Sequence, residues 1–224
     1  MRYLAISLCV AALTLGLWLD NVHLAATVIA PEQLHIVLDA GHGGQDNGAS
    51  AKGVSEAELN LQIVNVLKQE FLNHGCAVSL TRVDSESLGS PYAANKKKDD
   101  MAKRRAKIQE LNPDLVISIH QNTYPSSSVN GLQCFYANET TGSKEYATAI
   151  QKQFNQSGLP FAKNAKPTDF NLVEHSPCPA VLIECGFLTN PTELRLLQTI
   201  DYQRILAYHI VTAVIQEHSR QHTE

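Results

Sequence analysis

The stretch LHIVLDAGHGG, from Leu34 to Gly44, determines how the rest of the chain is interpreted. Four of its first six residues are aliphatic and a glycine follows soon after, which is typical of a buried strand that ends in a loop. A polar, glycine-rich segment continues to Gly53, and beyond it the apolar residues recur at helical spacing. A strand, a polar loop and a helix in this order predict the first unit of an α/β sheet.

The helix after this loop has recognisable ends in the sequence. Ser55 at its start and Glu58 three residues later predict a capping box, in which each side chain accepts a backbone hydrogen bond from the other residue. Gly75 follows the last apolar position, Phe71, and is expected to end the helix.

Further strands and helices alternate along the remainder of the chain. Short aliphatic segments predict strands at residues 77–81, 115–119, 131–136 and 180–184. Helical spacing predicts helices at residues 100–111 and 143–155, and a closing helix through Leu206, Ile210 and Val214. The pattern predicts a single α/β domain with a mostly parallel central sheet of about six strands and helices on both faces.

Composition and charge exclude several classes of protein. The 224 residues are 44% hydrophobic and 18% charged, which excludes a disordered, collagenous or repeat-array chain. The formal net charge is −4, so no overall positive field would attract nucleic acid, and no nucleic-acid partner is expected.

The first 30 residues are predicted to be a targeting segment, with the folded domain at residues 31–224. Arg2 precedes an uncharged, largely apolar run from Tyr3 to Leu19. The run is slightly long for the core of a signal peptide and short for a transmembrane helix. A cleaved signal peptide and an uncleaved N-terminal membrane anchor therefore both stay open, beside a less favoured buried helix. Either of the first two means that the domain is exported.

Export would allow disulfide bonds among the cysteines that follow the leader. No Cys-x-x-Cys pair occurs, so a cysteine-rich zinc site is not expected. Free thiols in the core are favoured over bridges for the four cysteines of the domain, which are Cys76, Cys134, Cys178 and Cys185.

Residues capable of metal binding or acid–base chemistry follow or end three of the predicted strands. His42 and His120 each come just after a strand, and Glu184 ends another. Ligands of open α/β sheets bind beyond the carboxyl ends of the strands. Glu56 adds a carboxylate at a helix start beside the same edge. Two histidines, one carboxylate and an open position are typical of a catalytic zinc site.

A reaction at such a site also requires a group that moves protons. We therefore predict His42, Glu56 and His120 as the ligands of one zinc ion, and Glu184 as the acid–base residue. Each of these residues also has an ordinary structural alternative. His42 would belong to a tight glycine turn, and Glu56 would be a partner of the helix dipole. His120 would be a hydrogen-bonded core histidine, and Glu184 would form a salt bridge.

The segment GGQDNGAS, from Gly43 to Ser50, follows a strand and imitates a phosphate-binding P-loop. Ala49 occupies the position of the lysine that would hold the phosphates. Nucleotide binding is therefore not expected.

Four segments resemble motifs of the zinc N-acetylmuramoyl-L-alanine amidases and follow one another in the order found in that family. They are IVLDAGHGG (36–44), EAELNL (56–61), SIHQN (118–122) and LIECGFLTNP (182–191). The resemblance implies one zinc ion bound by His42, Glu56 and His120, with Glu184 as the catalytic glutamate. It also implies hydrolysis of the amide between N-acetylmuramic acid and the L-alanine of the stem peptide. The substrate would be peptidoglycan glycan strands with stem peptides, and residues 31–224 the catalytic domain.

Other segments resemble the germination-specific, spore-cortex branch of that family: LTR (80–82), KKKDDMAKRRAKI (96–108), GLQCFY (131–136) and NAKPTDFNLVEHSPCPAV (164–181). This resemblance implies a role in cortex maturation, in which muramic lactam forms and a downstream deacetylase follows. An activator protein is a further expected partner. The family pattern is not followed at Gln121, Cys134 and Cys185, which bears on substrate fit rather than on the chemistry.

Three further residues are assigned with alternatives. Asp39 would orient His42 or stabilise a turn, and Arg104 would contact stem-peptide carboxylates or lie exposed on a helix. Asn122 would line the cleft or, preferably, form a turn.

Two other functions stay open beside the zinc amidase. One is a non-catalytic peptidoglycan-binding protein. The other is a thiol hydrolase that uses Cys185 and His175, which is weak because Cys185 should point away from the face that carries Glu184.

Overall fold

A computed structural model of the chain describes residues 33–137, 140, 142–156 and 163–223. The predicted leader, residues 1–30, lies outside the described residues. Within the described part, no helix combines the length and the apolar character needed to span a bilayer.

Eight strands are described, and six of them form one sheet in the order β4-β1-β5-β8-β6-β7. All neighbouring pairs in this sheet are parallel except β6 with β8. The remaining two strands, β2 and β3, form a short antiparallel hairpin. The predicted mostly parallel sheet is therefore confirmed. The strands are β1 His35–Ala40, β2 Ser50–Ala51, β3 Val54–Ser55, β4 Ala77–Leu80, β5 Leu115–Asn122, β6 Gln133–Tyr136, β7 Lys166–Pro167 and β8 Ala180–Phe187.

Helices cover both faces of the sheet, as predicted. Alternate residues of a strand point to opposite faces. Ile36 and Leu38 belong to a hydrophobic cluster with the first, third, fifth and sixth helices, whereas Val37 belongs to a second cluster with the second and fourth. The described residues form six helices: α1 Glu56–Asn73, α2 Lys96–Leu111, α3 Ser143–Gln156, α4 Asn171–Glu174, α5 Pro191–Leu197 and α6 Ile200–Gln221.

The start of α1 differs from the predicted capping box. Ser55 does occupy the position before the helix, but its side chain makes no capping hydrogen bond. Its hydroxyl donates instead to the carbonyl oxygen of Asn47, 3.2 Å away. Ser55 is also the last residue of β3, so its side chain holds the preceding loop rather than the helix end.

Helix α2 begins four residues before the predicted start. The side chain of Asn95 accepts a hydrogen bond from the backbone nitrogen of Lys98 and caps the helix there. The three lysines that begin at Lys96 therefore belong to the first turn of α2 and not to a loop.

Strands β5 and β8 extend past their predicted ends, so His120 and Glu184 lie within strands. Asn122 is the last residue of β5 and is not among the residues that line the cleft described below. The four cysteines of the domain are free thiols, as favoured from the sequence.

Candidate active site

The three predicted metal ligands lie together at the carboxyl edge of the sheet. Oε1 of Glu56 is 3.3 Å from Nε2 of His42 and 3.0 Å from Nδ1 of His120. One potential ligand atom from each residue lies within 4.8 Å of the other two. Two imidazole nitrogens and a carboxylate oxygen, gathered at this spacing, form a donor set that fits a zinc ion.

Glu56 is fixed by backbone groups on both of its oxygens. Oε2 accepts from the amide nitrogen of Ala49 at 2.8 Å, and Oε1 accepts from that of Gln121 at 3.1 Å. Burial opposes ionisation, but the hydrogen bonds and charges of His120 and His42 hold the pKa of Glu56 well below its usual value. The carboxylate is therefore charged and held in place for a cation.

His42 leaves β1 in an unusual backbone conformation, with φ 63°, and its ring is held by Asp46 four residues later. Nδ1 of His42 is 2.9 Å from Oδ2 of Asp46, so Nε2 is left to face Glu56. Burial lowers the pKa of His42, but the nearby carboxylates outweigh it and raise the pKa to about 9. Asp46 is not among the residues predicted from the sequence, although its i+4 spacing from His42 in the segment HGGQD was a usable signal.

Two glycines allow the ligands to come this close. A Cβ atom on Gly41 would lie 2.3 Å from atoms of the His120 ring. A Cβ atom on Gly48 would lie 2.5 Å from Oε2 of Glu56 and 2.7 Å from the His42 ring. A side chain at either position would displace a predicted ligand.

Glu184 is the fourth predicted residue, and it lies beside the cluster. It pairs with His120 in the register of β8 against β5, and paired residues of adjacent strands point to the same face. Among the described residues, its buried Oε2 has no hydrogen-bond partner. Burial, assisted by the charge of Glu56, outweighs the two histidines and raises the pKa of Glu184 to about 7. A carboxyl group in this state can both accept and donate a proton near neutral pH.

A cleft of about 320 Å³ opens above these residues. It is lined by His42, His120 and Glu184, and by Lys97 and Met101 of α2. The segment that enters α4 also contributes Phe170, Asn171 and Leu172.

Asp39 also lines the cleft, but no hydrogen bond described here joins it to the ring of His42. Its carboxylate accepts from Thr81 Oγ1 at 2.6 Å, Ser118 Oγ at 2.7 Å and Arg104 at 2.6 Å. Desolvation raises the pKa of Asp39, but Arg104 and the two hydroxyls outweigh it and hold the pKa at about 2. Asp39 therefore anchors the edge of the sheet, which supports the structural alternative.

Of the two predicted roles of Arg104, the exposed position on a helix is wrong. The side chain is 2% exposed, so it is not a surface arginine. Its guanidinium donates to Asp39 and Asp100 and to the carbonyl oxygens of Ala40 and His42. Arg104 also lines the cleft, so its contact with a stem-peptide carboxylate stays a prediction. Within the fold, Arg104 holds the backbone that carries His42.

The structure gives no support to the thiol hydrolase. Cys185 is fully buried in the core, and burial raises its pKa far above the ordinary value, so the thiol stays protonated and unreactive. His175 lies exposed after α4 and contacts Glu174.

A mostly parallel sheet with two histidines and two carboxylates at its carboxyl edge is typical of metal-dependent hydrolases. The chain belongs to the N-acetylmuramoyl-L-alanine amidase family Amidase_3, whose profile matches residues 36–216. The chain is therefore an enzyme of the class that hydrolyses the amide between N-acetylmuramic acid and L-alanine in peptidoglycan. A cell-wall substrate implies an extracytoplasmic location.

Individual relatives agree with this family. The germination-specific N-acetylmuramoyl-L-alanine amidase of Bacillus subtilis (strain 168) is 30% identical over 185 residues, which cover 81% of this chain and 78% of that protein. The uncharacterized protein YqiI of the same strain is 30% identical over 96% of both chains. The CwlD amidase of Clostridioides difficile, solved in complex with the GerS lipoprotein, is 34% identical with a TM-score of 0.80. That match covers 84% of this chain and 99% of CwlD.

Proposed function

We propose that this amidase is zinc-dependent and that His42, Glu56 and His120 hold the ion. The observation that carries the proposal is the convergence of these three side chains, with one potential ligand atom of each within 4.8 Å of the others. Asp46 orients the ring of His42, and two backbone amides fix the carboxylate of Glu56. Surrounding hydrogen bonds therefore orient these ligand side chains, as is usual for metal ligands.

Zinc at this position would polarise the amide carbonyl and make a water molecule acidic enough to react at neutral pH. Glu184 would take a proton from the attacking water on its otherwise unpartnered Oε2. As the bond between the carbonyl carbon and the alanine nitrogen breaks, Glu184 would return that proton to the nitrogen. The products are the free carboxylate of N-acetylmuramic acid and a stem peptide with a free amino group on L-alanine.

The pKa of Glu184, near 7 in the metal-free site, supports this double role because neither protonation state is strongly disfavoured. The register of β8 against β5 also supports it, since it brings the carboxylate to the face that carries His120. Among the described residues, Oε2 of Glu184 has no hydrogen-bond partner, so a structural role for this oxygen, such as a salt bridge, has no support.

We also propose a role in spore-cortex maturation. The germination-specific relative of Bacillus subtilis and the branch-like segments of this sequence support it. The CwlD amidase was solved with a lipoprotein partner, which supports an activator protein for this chain as well. A downstream deacetylase stays a prediction. We retain the proposal that residues 1–30 are a signal peptide or membrane anchor and that residues 31–224 form the exported catalytic domain.

Digestion of purified peptidoglycan tests the activity directly. The zinc-loaded protein is incubated with and without a chelator, and the products are identified by mass spectrometry. We expect free stem peptides that begin with L-alanine, and none after chelation. Cleavage that resists the chelator would contradict the zinc mechanism. Intact stems in both samples would point to a missing activator protein or would favour a non-catalytic peptidoglycan-binding protein. Expression confined to vegetative growth would contradict the cortex role.

A further inference from the structure

We propose that Lys97 determines substrate specificity by binding a free carboxylate of the stem peptide at the point where the bound peptide extends out of the cleft. The inference rests on the amidase function proposed above and names the part of the substrate that the site recognises. Three features carry it: the position of Lys97 between two adjoining cavities, the charge balance of the cleft and the chemistry of the leaving group.

A second cavity of about 130 Å³ adjoins the cleft. It lies between the loop that follows β1 and the start of α2, with the backbone of Gly43 and Gly44 on one side. Asp46, Lys97 and Asp100 line both cavities. A substrate that extends from the cluster into the second cavity therefore passes the ammonium group of Lys97.

The charges that line the cleft are mostly negative. Four carboxyl groups face it, and the only cationic side chains among its described lining residues, apart from the histidines, are Arg104 and Lys97. The charge of Arg104 is balanced by Asp39 and Asp100 at 2.6 and 2.7 Å. The four carboxyl groups belong to Asp39, Asp46, Asp100 and Glu184.

Unlike Lys96 and Lys103 of α2, Lys97 has no hydrogen bond or ion pair on its side chain among the described residues, although its charge helps to lower the pKa of the nearby Asp46. Lys96 donates to Oε1 of Gln45 at 2.5 Å, and Lys103 pairs with Asp99 at 3.0 Å. Lys97 is exposed and lines both cavities, so its charge is available to a ligand.

The substrate supplies the complementary charge. The leaving group of the reaction is the stem peptide, which continues beyond L-alanine with an acidic residue whose α-carboxylate is free or amidated in different cell walls. A zinc ion would offset the charges of Glu56 and Glu184, but Asp39, Asp46 and Asp100 still outnumber Arg104. An anionic peptide is therefore repelled unless a further cation meets it. A contact with a carboxylate that takes no part in the reaction is the same before and during the reaction, so it should affect KM and leave kcat unchanged.

The test uses the zinc-loaded enzyme and two muramoyl tripeptides that differ only in whether the α-carboxyl of the second residue is free or amidated. We expect Lys97→Gln to raise KM for the free acid about fivefold, as for a favourable exposed ion pair, and to leave KM for the amide unchanged. Lys97→Arg should restore most of the preference. Lys98→Gln is the matched control, because Lys98 is exposed on the same helix turn but lines neither cavity.

Equal KM changes for the two tripeptides, or a change in kcat alone, would overturn the assignment of Lys97. Failure of the unaltered enzyme to cleave either tripeptide would count against the amidase function instead. In that event calorimetric titration of the same two tripeptides into the unaltered protein and Lys97→Gln still decides the question. Preferential binding of the free acid that Lys97→Gln abolishes supports the assignment, and equal binding by both proteins overturns it.

Discussion

Asp39 and Glu184 line the same cleft, yet their surroundings shift their pKa values in opposite directions. Asp39 accepts hydrogen bonds from two hydroxyls and an arginine, and its pKa falls to about 2. Glu184 has one oxygen without a partner among the described residues, and burial raises its pKa to about 7. A carboxylate with every partner supplied stabilises the fold, whereas one left incomplete is available for chemistry.

The largest effect is expected from Glu184→Gln. Amide and carboxyl groups have nearly the same shape, so the fold and the three zinc ligands should be retained. Loss of proton transfer should lower kcat by roughly 10²–10⁴-fold. The measurements are turnover on a muramoyl peptide and zinc content by mass spectrometry.

Glu174→Gln serves as the control, because Glu174 is exposed on α4 and contacts only His175 among the described ion pairs. Near-normal turnover by Glu184→Gln would remove the distinction between the two cleft carboxylates.

Asp39→Ala should have the largest effect on stability. It leaves the buried guanidinium of Arg104 with one carboxylate partner fewer, and breaking a buried ion pair costs about 3–5 kcal/mol. Urea unfolding measures the loss as a fall in midpoint at constant slope. The exposed pair of Arg204 with Asp201 provides the control, since Asp201→Ala should change the midpoint little. A similar small change for Asp39→Ala would show that Asp39 is not the anchor.

The contrast between these two carboxylates explains which parts of the site the sequence could predict. His42, His120 and Glu184 follow or end aliphatic strands, and that pattern places them at one edge of the sheet without any knowledge of contacts. The environment of Asp39 depends on Arg104, which is 65 residues away on α2. Neither the pairing nor the burial of Arg104 leaves a periodic signal, so the sequence did not predict that this arginine is buried.

The same reasoning applies to the fold. The long aliphatic strands and α1 were predicted because hydrophobic periodicity needs several residues to be recognised. Strand β7 has two residues and α4 has four, so neither could be recognised in this way. The hairpin of β2 and β3 is equally short, and it explains the failed capping box at Ser55.

Asp46→Ala tests whether the ring of His42 needs its orienting carboxylate. Loss of such a partner typically lowers metal affinity by about 10–100-fold. Competition with a zinc-binding dye measures the affinity, and Asp46→Asn should lose less because it keeps an oxygen acceptor. Gln45→Ala is the control, since Gln45 contacts Lys96 rather than His42. Unchanged affinity in Asp46→Ala would mean that the ring is held by other contacts.

The pH dependence of stability gives a smaller effect but separates the two carboxylates by sign. In the metal-free protein, the lowered pKa of Asp39 contributes stability that is fully present above about pH 4 and is lost as the pH falls towards 2. The raised pKa of Glu184 acts in the opposite sense. The loss of stability that Glu184 causes is absent below about pH 4.5 and grows as the pH rises to about 7, because burial opposes ionisation of this carboxyl group in the folded state.

Replacing each carboxylate with its amide should therefore produce two curves of opposite direction. Glu184→Gln should match the unaltered protein near pH 4 and exceed its free energy of unfolding by about 1–3 kcal/mol near pH 8, since each pKa unit corresponds to about 1.4 kcal/mol. Asp39→Asn should be less stable near pH 8 and approach the unaltered protein as the pH falls. Urea unfolding with chelator present across this range measures both. Parallel curves would mean that the two carboxylates do not differ in their electrostatic surroundings.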